Sequence, residues 1–120
     1  MNYLTDQEEF WAGNFGDEYI ERNKSKELLA SNLNFFSKAL KNANKPKSCI
    51  EFGSNVGMNL KALKLLYPEI LLKGIEINVK ACKELENIIG KENVFNKSIF
   101  DIDNIEKSDL SLIKGVLIHI

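Results

Sequence analysis

The stretch from Ile50 to Gly57, Ile-Glu-Phe-Gly-Ser-Asn-Val-Gly, reads as a short apolar strand ending in an acid, then a turn punctuated by glycine. An amphipathic helix is expected at once, from Met58 to Tyr67, with Leu60, Leu63, Leu66 and Tyr67 on one side and Pro68 as its stop. A second apolar strand, Ile70 to Ile77, carries another acid, Glu76, near its end. A strand, a tight turn, a helix and a strand with a terminal carboxylate form the nucleoside-binding half of a doubly wound α/β fold.

The alternation continues beyond Glu76. Asn78 is an expected N-cap, Val79, Cys82, Leu85, Glu86 and Ile89 trace the next helix, and Gly90 closes it. Asn93 to Ser98 reads as a third strand and Asp109 to Leu117 as a fourth. Strands alternating with short helices imply parallel βαβ units with right-handed crossovers. Upstream, Thr5-Asp6-Gln7-Glu8 matches a capping box and opens a short helix ending near Gly13. Glu18 to Arg22 reads as a further helical turn. A longer helix from about Ser25 has one apolar face at Leu29, Leu33, Phe36 and Leu40. The expected organisation is an N-terminal helical extension over 1–47 and an α/β domain over 48–120.

Composition narrows the function classes. With 120 residues, 44% hydrophobic and 28% charged, the chain reads as one soluble globular domain. Net charge is −1 and no lysine or arginine stripe stands out, so no duplex-binding footprint is indicated. The acidic N-terminus lacks the apolar run of a secretory signal, and no stretch approaches the roughly 18 apolar residues of a membrane span. Cys49 and Cys82 show neither Cys-x-x-Cys nor histidine spacing. They read as small buried hydrophobes in a reducing compartment rather than as a disulfide or metal site, so a cytoplasmic location is expected, with no metal, nucleic-acid or membrane partner.

The glycine spacing decides between cofactor classes. A dinucleotide fingerprint needs Gly-x-Gly-x-x-Gly, whereas Gly53 and Gly57 are separated by Ser54, Asn55 and Val56. This spacing argues against a nicotinamide-dependent dehydrogenase, and the absence of Gly-Lys-Ser/Thr argues against a P-loop. Glu51, Gly53, Asn55 and Gly57 instead resemble motif I of the class I S-adenosylmethionine-dependent methyltransferases, an acid, one residue, then Gly-x-Gly-x-Gly, with asparagine at the middle glycine. Gly53 allows the tight turn and Gly57 the close packing of the next helix. Asn55 could offer a polar contact to the methionyl tail.

The resemblance implies a Rossmann-like sheet and S-adenosyl-L-methionine as cofactor. It implies Glu51, Gly53, Ser54, Asn55 and Gly57 around the methionyl group, and Glu76 accepting both ribose hydroxyls. It also implies Ile77 against adenine and Asp101 at its amino group, with Ile99 or Phe100 on the ring face. Asp109-Leu-Ser-Leu-Ile-Lys-Gly-Val-Leu-Ile-His looks like motif IV, on the far side of the crevice. Glu9-Phe-Trp-Ala-Gly-Asn-Phe-Gly-Asp-Glu-Tyr-Ile-Glu-Arg-Asn and Lys-Gly-Val-Leu-Ile-His-Ile are similar to methylases associated with pseudaminic acid biosynthesis, which implies a nonulosonic-acid sugar intermediate as substrate.

Each reading has a plainer rival. Gly53 and Gly57 alone are ordinary turn glycines, Asp101 is common turn chemistry, and Glu51 could be a simple strand-end acid. Met58 and Asn59 read as turn and cap residues, and Lys114 and Cys49 as structural. Trp11, Phe15 and Tyr19 read as the core of the helical extension, with Tyr19 and Arg22 the alternative contacts to the cofactor's tail. No catalytic residue is singled out; His119, just after motif IV, is the candidate general base, against a structural histidine. A family sheet has seven strands and this sequence supplies four, so a truncated enzyme is expected, its fourth strand an open edge inviting self-association. The alternative is a non-catalytic cofactor-binding or partner-binding remnant.

Overall fold

The computed structural model describes residues 6–13, 26–100 and 107–114. In chain order these form α1 (Asp6–Ala12), α2 (Lys26–Ala39), β1 (Ser48–Phe52), α3 (Met58–Leu66), β2 (Leu71–Ile75) and α4 (Val79–Ile89). A 3-10 turn (Lys91–Asn93), β3 (Val94–Phe95) and β4 (Leu110–Ile113) follow. The four strands make one sheet in the order β3-β2-β1-β4, every pair parallel. This is the first half of a doubly wound Rossmann-like sheet, as the sequence predicts. The strand order reverses between β1 and β4, and in such sheets ligands bind outside the carboxyl ends of the strands at that reversal.

One face of the sheet carries the main core cluster. In register, Cys49 lies between Leu72 and Leu110, and Glu51 between Gly74 and Leu112. Cys49, Leu72, Leu110 and Leu112 share a single core cluster with Phe36 of α2, Leu60 and Leu63 of α3, and Leu85 of α4. Full burial of a leucine-sized side chain contributes about 1.5–3 kcal/mol, so the completely enclosed Leu60, Leu63 and Leu85 dominate this layer. The apolar stripe Leu29, Leu33, Phe36 and Leu40 packs into the same cluster, so α2 shares the core of the sheet. On the opposite face Ile50 and Ile75 are buried, while Leu71, Phe95 and Ile113 toward its margins are exposed.

Strand ends differ from the sequence reading for identifiable reasons. β2 is shorter at both ends than Ile70 to Ile77, because the Ile70 N–H closes a turn on the Tyr67 carbonyl. The third strand is two residues rather than Asn93 to Ser98. Asn93 belongs to the 3-10 turn, and the Asn96 side-chain amide takes the Glu76 and Ile77 carbonyls at 2.9 and 3.0 Å, ending the backbone ladder. β4 begins beside β1 through a reciprocal pair. The Lys47 N–H donates to Asp109 Oδ2 at 2.8 Å, and the Asp109 N–H donates to Ser48 Oγ at 2.9 Å. The expected helix over 18–22 and the end of the fourth strand past Lys114 lie outside the described residues.

Candidate functional site

The turn after β1 uses three left-handed residues in five positions: Gly53 at φ 75°, Asn55 at φ 51° and Gly57 at φ 84°. Asparagine is among the few side chains that tolerate this region, so Asn55 stands at the middle place of the turn for a backbone reason. Gly57 caps α3 without a side-chain hydrogen bond, and a Cβ there would lie 2.4 Å from Leu85 Cδ1. Gly74 in β2 does similar work, because a Cβ on it would meet Ser54 Oγ at 2.6 Å. Gly74 was missed in the sequence, since nothing local marks a strand glycine as the floor of a turn one strand away.

The turn is fastened to β2 before any ligand is considered. The N–H groups of Gly53 and Ser54 both donate to the Ile75 carbonyl, at 2.8 and 3.0 Å. Ser54 is buried and its hydroxyl donates to the Glu51 carbonyl at 2.9 Å, so its side chain braces the turn from inside. The Asn55 N–H donates to Glu76 Oε1 at 2.8 Å and the Asn78 N–H to Glu76 Oε2 at 2.7 Å. Glu76 thus joins the motif turn to the start of α4. Burial raises its pKa above the ordinary carboxylate value, opposed by the backbone hydrogen bonds from Asn78, Asn55 and Ile77. Its two oxygens offer about four acceptor sites, so these three N–H groups leave acceptor capacity open.

Glu51 occupies a different environment. It is 1% exposed, its Oε2 accepts the Asn59 side-chain N–H at 2.7 Å, and its Oε1 accepts no hydrogen bond among the described residues. Burial pushes its carboxyl from 4.5 up to about 8, with the Asn59 hydrogen bond and then the Lys114 charge working downward and the Glu76 charge upward. Asn59 in turn accepts from Lys114 Nζ through Oδ1 at 3.4 Å. Lys114 also donates to Asn32 Oδ1 of α2 at 3.2 Å, and its ammonium lies 5.0 Å from the centre of the Phe35 ring. Asn59 and Lys114, which read in the sequence as cap and structural residues, therefore connect the end of β1 with the end of β4 and with α2.

Of the sequence-predicted site residues, Glu51, Gly53, Ser54, Asn55, Gly57, Glu76 and Ile77 gather around the carboxyl ends of β1 and β2. Ile77 is half-buried between Glu76 and Asn78, its carbonyl taken by Asn96. Asp101 and His119 lie outside the described residues, as do Tyr19 and Arg22. Asn78 behaves as expected, accepting the Ala81 N–H at 2.9 Å as the cap of α4, and its amide also donates to the Ala12 carbonyl at the end of α1 at 3.3 Å. Both cysteines are free and buried, with thiols pushed up to about 12, chiefly by burial. Among the described residues no group of three or more His, Cys, Asp and Glu could hold a metal, and no helix is long and apolar enough to cross a membrane.

The fold is that of the first half of a Rossmann-like α/β sheet, with a glycine turn at the end of its first strand. No protein-family profile and no curated protein matches the sequence. Solved structures do match in fold. The plantazolicin methyltransferase BpumL, in complex with S-adenosylhomocysteine, superimposes with a TM-score of 0.66 at 19% identity, covering 89% of this chain and 44% of that one. The sugar N-methyltransferase KedS8 from Streptoalloteichus sp. gives 0.63 at 16% identity, covering 87% and 40%. Coclaurine N-methyltransferase bound to N-methylheliamine and S-adenosylhomocysteine gives 0.55 at 17%, covering 72% and 27%. At these identities the likeness is one of fold, and the chain spans less than half the length of each of these structures.

Proposed function

We propose that this chain binds S-adenosyl-L-methionine at the carboxyl ends of β1 and β2 and is the donor-binding part of a methyltransferase. Glu76 carries the reading. Its half-buried carboxylate stands at the end of β2, its pair of oxygens fixed by backbone N–H groups that include those of Asn55 and Asn78 and still keeping acceptor capacity. Two neighbouring O–H donors, such as a ribose diol, match that pair. In this reading Ile77 and Asp101 receive the adenine, and Gly53, Asn55 and Gly57 shape the turn under the methionyl part. Ser54 and Glu51 brace that turn from below. The match of the fold to structures that hold S-adenosylhomocysteine supports the same donor.

When bound, the donor supplies an electrophilic methyl group on a sulfonium. The protein's part is to orient the nucleoside and exclude water, which supply much of the acceleration in such displacements. His119 is the proposed general base for a sugar hydroxyl or amine acceptor, an intermediate of a nonulosonic-acid pathway such as that of pseudaminic acid. The N-terminal sequence string supports that acceptor class, and one matched structure is a sugar N-methyltransferase. The part of residues 1–47 that precedes α2 would act as a helical extension over the crevice, with 48–120 the donor-binding part, whose core α2 shares. The two free thiols fit a cytoplasmic setting, and the outer edge of β4 fits self-association.

The test is calorimetry with S-adenosylhomocysteine. The wild type is expected to bind, and both Glu76→Ala and Glu76→Gln to bind roughly 10- to 100-fold more weakly, since a hydrogen bond to a charged group is worth about 1.5–3 kcal/mol. Folded Glu76 variants that bind as well as the wild type would rule the site out. The alternative is a non-catalytic protein that holds the cofactor or a partner. Binding without turnover on any sugar nucleotide would select it.

A further inference from the structure

We infer that Lys114 is a carboxylate-binding residue, positioned by Asn59 and Asn32 to receive the amino-acid end of the adenosyl ligand. This inference rests on the donor site proposed above. Lys114 follows β4 directly, and the register pairs Phe52 with Ile113, so it stands beside the glycine turn at the point where the strand order reverses. Its ammonium is held at a fixed place by two amide oxygens, Asn32 Oδ1 at 3.2 Å and Asn59 Oδ1 at 3.4 Å, with the Phe35 and Phe36 rings at 5.0 and 5.9 Å.

All of these partners are neutral. An ammonium has three donors, and among the described residues two amide oxygens accept from it. Among the described residues no carboxylate pairs with Lys114 directly, and the side chain is exposed. A long flexible lysine costs entropy to order, so a solvated lysine held by two amides and two rings is an arrangement that favours a ligand over bulk water.

The orientation of Asn59 is not free to vary. Its N–H donates to Glu51 Oε2 at 2.7 Å, which turns its carbonyl oxygen toward Lys114. Glu51 is enclosed, and through Asn59 it acts as a positioning residue for Lys114. The anion that fits beside a glycine turn, next to a nucleoside site, is a compact carboxylate on the same molecule as the nucleoside. The α-carboxylate of an S-adenosyl amino acid is such a group.

Three probes separate this seat from the donor site as a whole. S-adenosylhomocysteine carries both the carboxylate and the ammonium, decarboxylated S-adenosylmethionine carries the ammonium alone, and methylthioadenosine carries neither. Lys114→Met keeps the apolar stem over the rings and removes the charge. It is expected to weaken S-adenosylhomocysteine about tenfold in calorimetry while leaving the other two within about twofold, and Lys114→Arg to restore most of the loss. Equal weakening of all three ligands would make Lys114 a strut between α2 and α3 and overturn the inference, as would no change for S-adenosylhomocysteine. A wild type that binds methylthioadenosine as tightly as S-adenosylhomocysteine overturns the carboxylate seat alone. A wild type that binds none of the three removes the donor site and the seat together.

Discussion

An acid sealed at the end of a central strand has to be tolerated by its surroundings, and Glu51 is only half provided for, with one oxygen bonded to Asn59 and the other unpartnered among the described residues. Its folded carboxyl titrates near 8 rather than 4.5, so between those values the native chain holds a proton that the unfolded chain has released. Stability is therefore full below the lower value and declines as pH rises toward the upper one, by about 1.4 kcal/mol for each pH unit spanned. Urea unfolding at roughly pH 5 and pH 8 is expected to show this decline in the wild type and a much flatter profile in Glu51→Gln, the remainder being Glu76, whose carboxyl is raised in the same direction. Gly57 is the second sensitive residue. Gly57→Ala places a methyl group into Leu85 at a left-handed φ and is expected to cost roughly 2–4 kcal/mol, read as a lower Tm. Glu51, Gly57 and Glu76 were legible because strand-end acids and turn glycines announce themselves locally. Asn59 and Lys114 were not, because their partners lie eight to 82 positions away in the chain.

Helix α4 shows what one element can organise. Asn78 caps it through the Ala81 N–H, lends its own N–H to Glu76, and donates its amide to the end of α1. Replacing an N-cap asparagine by alanine typically costs about 0.5–2 kcal/mol, so Asn78→Ala is expected to lower stability by that amount. It should also loosen α1, seen as faster amide exchange over 6–13, whereas Asn78→Asp should keep the cap oxygen while losing the amide bond to Ala12. The same exchange rates in all three proteins would show that α1 does not depend on this contact. Elements α3 and α4 were readable from their apolar spacing and stops, within a residue at each end. β3 was not, because a side chain, Asn96, replaces the backbone ladder there, and no periodicity records such a substitution. Placing α2 in an extension separate from the α/β part followed the composition break at the loop before Lys47, while packing joins α2 to the sheet through Phe36.

At the scale of the whole sheet, the two faces are covered unevenly among the described residues. Helices α2, α3 and α4 pack against one face, while on the other Leu71, Phe95 and Ile113 are exposed around the buried Ile50 and Ile75. Parallel sheets are ordinarily covered on both sides. Light scattering is expected to show mass rising with concentration, and the double change Phe95→Lys with Ile113→Lys to suppress it. A single monomeric mass at high concentration would contradict this expectation. The strand order was legible because right-handed crossovers leave few topologies for alternating strands and helices. Which side chains face outward was not, since short buried strands show continuous apolar runs rather than alternation. The paired hydrogen bonds between Lys47, Ser48 and Asp109 bear on how the chain acquires its shape. They join segments 61 and 62 positions apart, so they can form only after a large loop has been closed against its entropy. β4 is thus expected to dock late. Asp109→Ala would then leave the refolding rate nearly unchanged and accelerate unfolding, making the seam beside β1 the place where the molecule first comes apart.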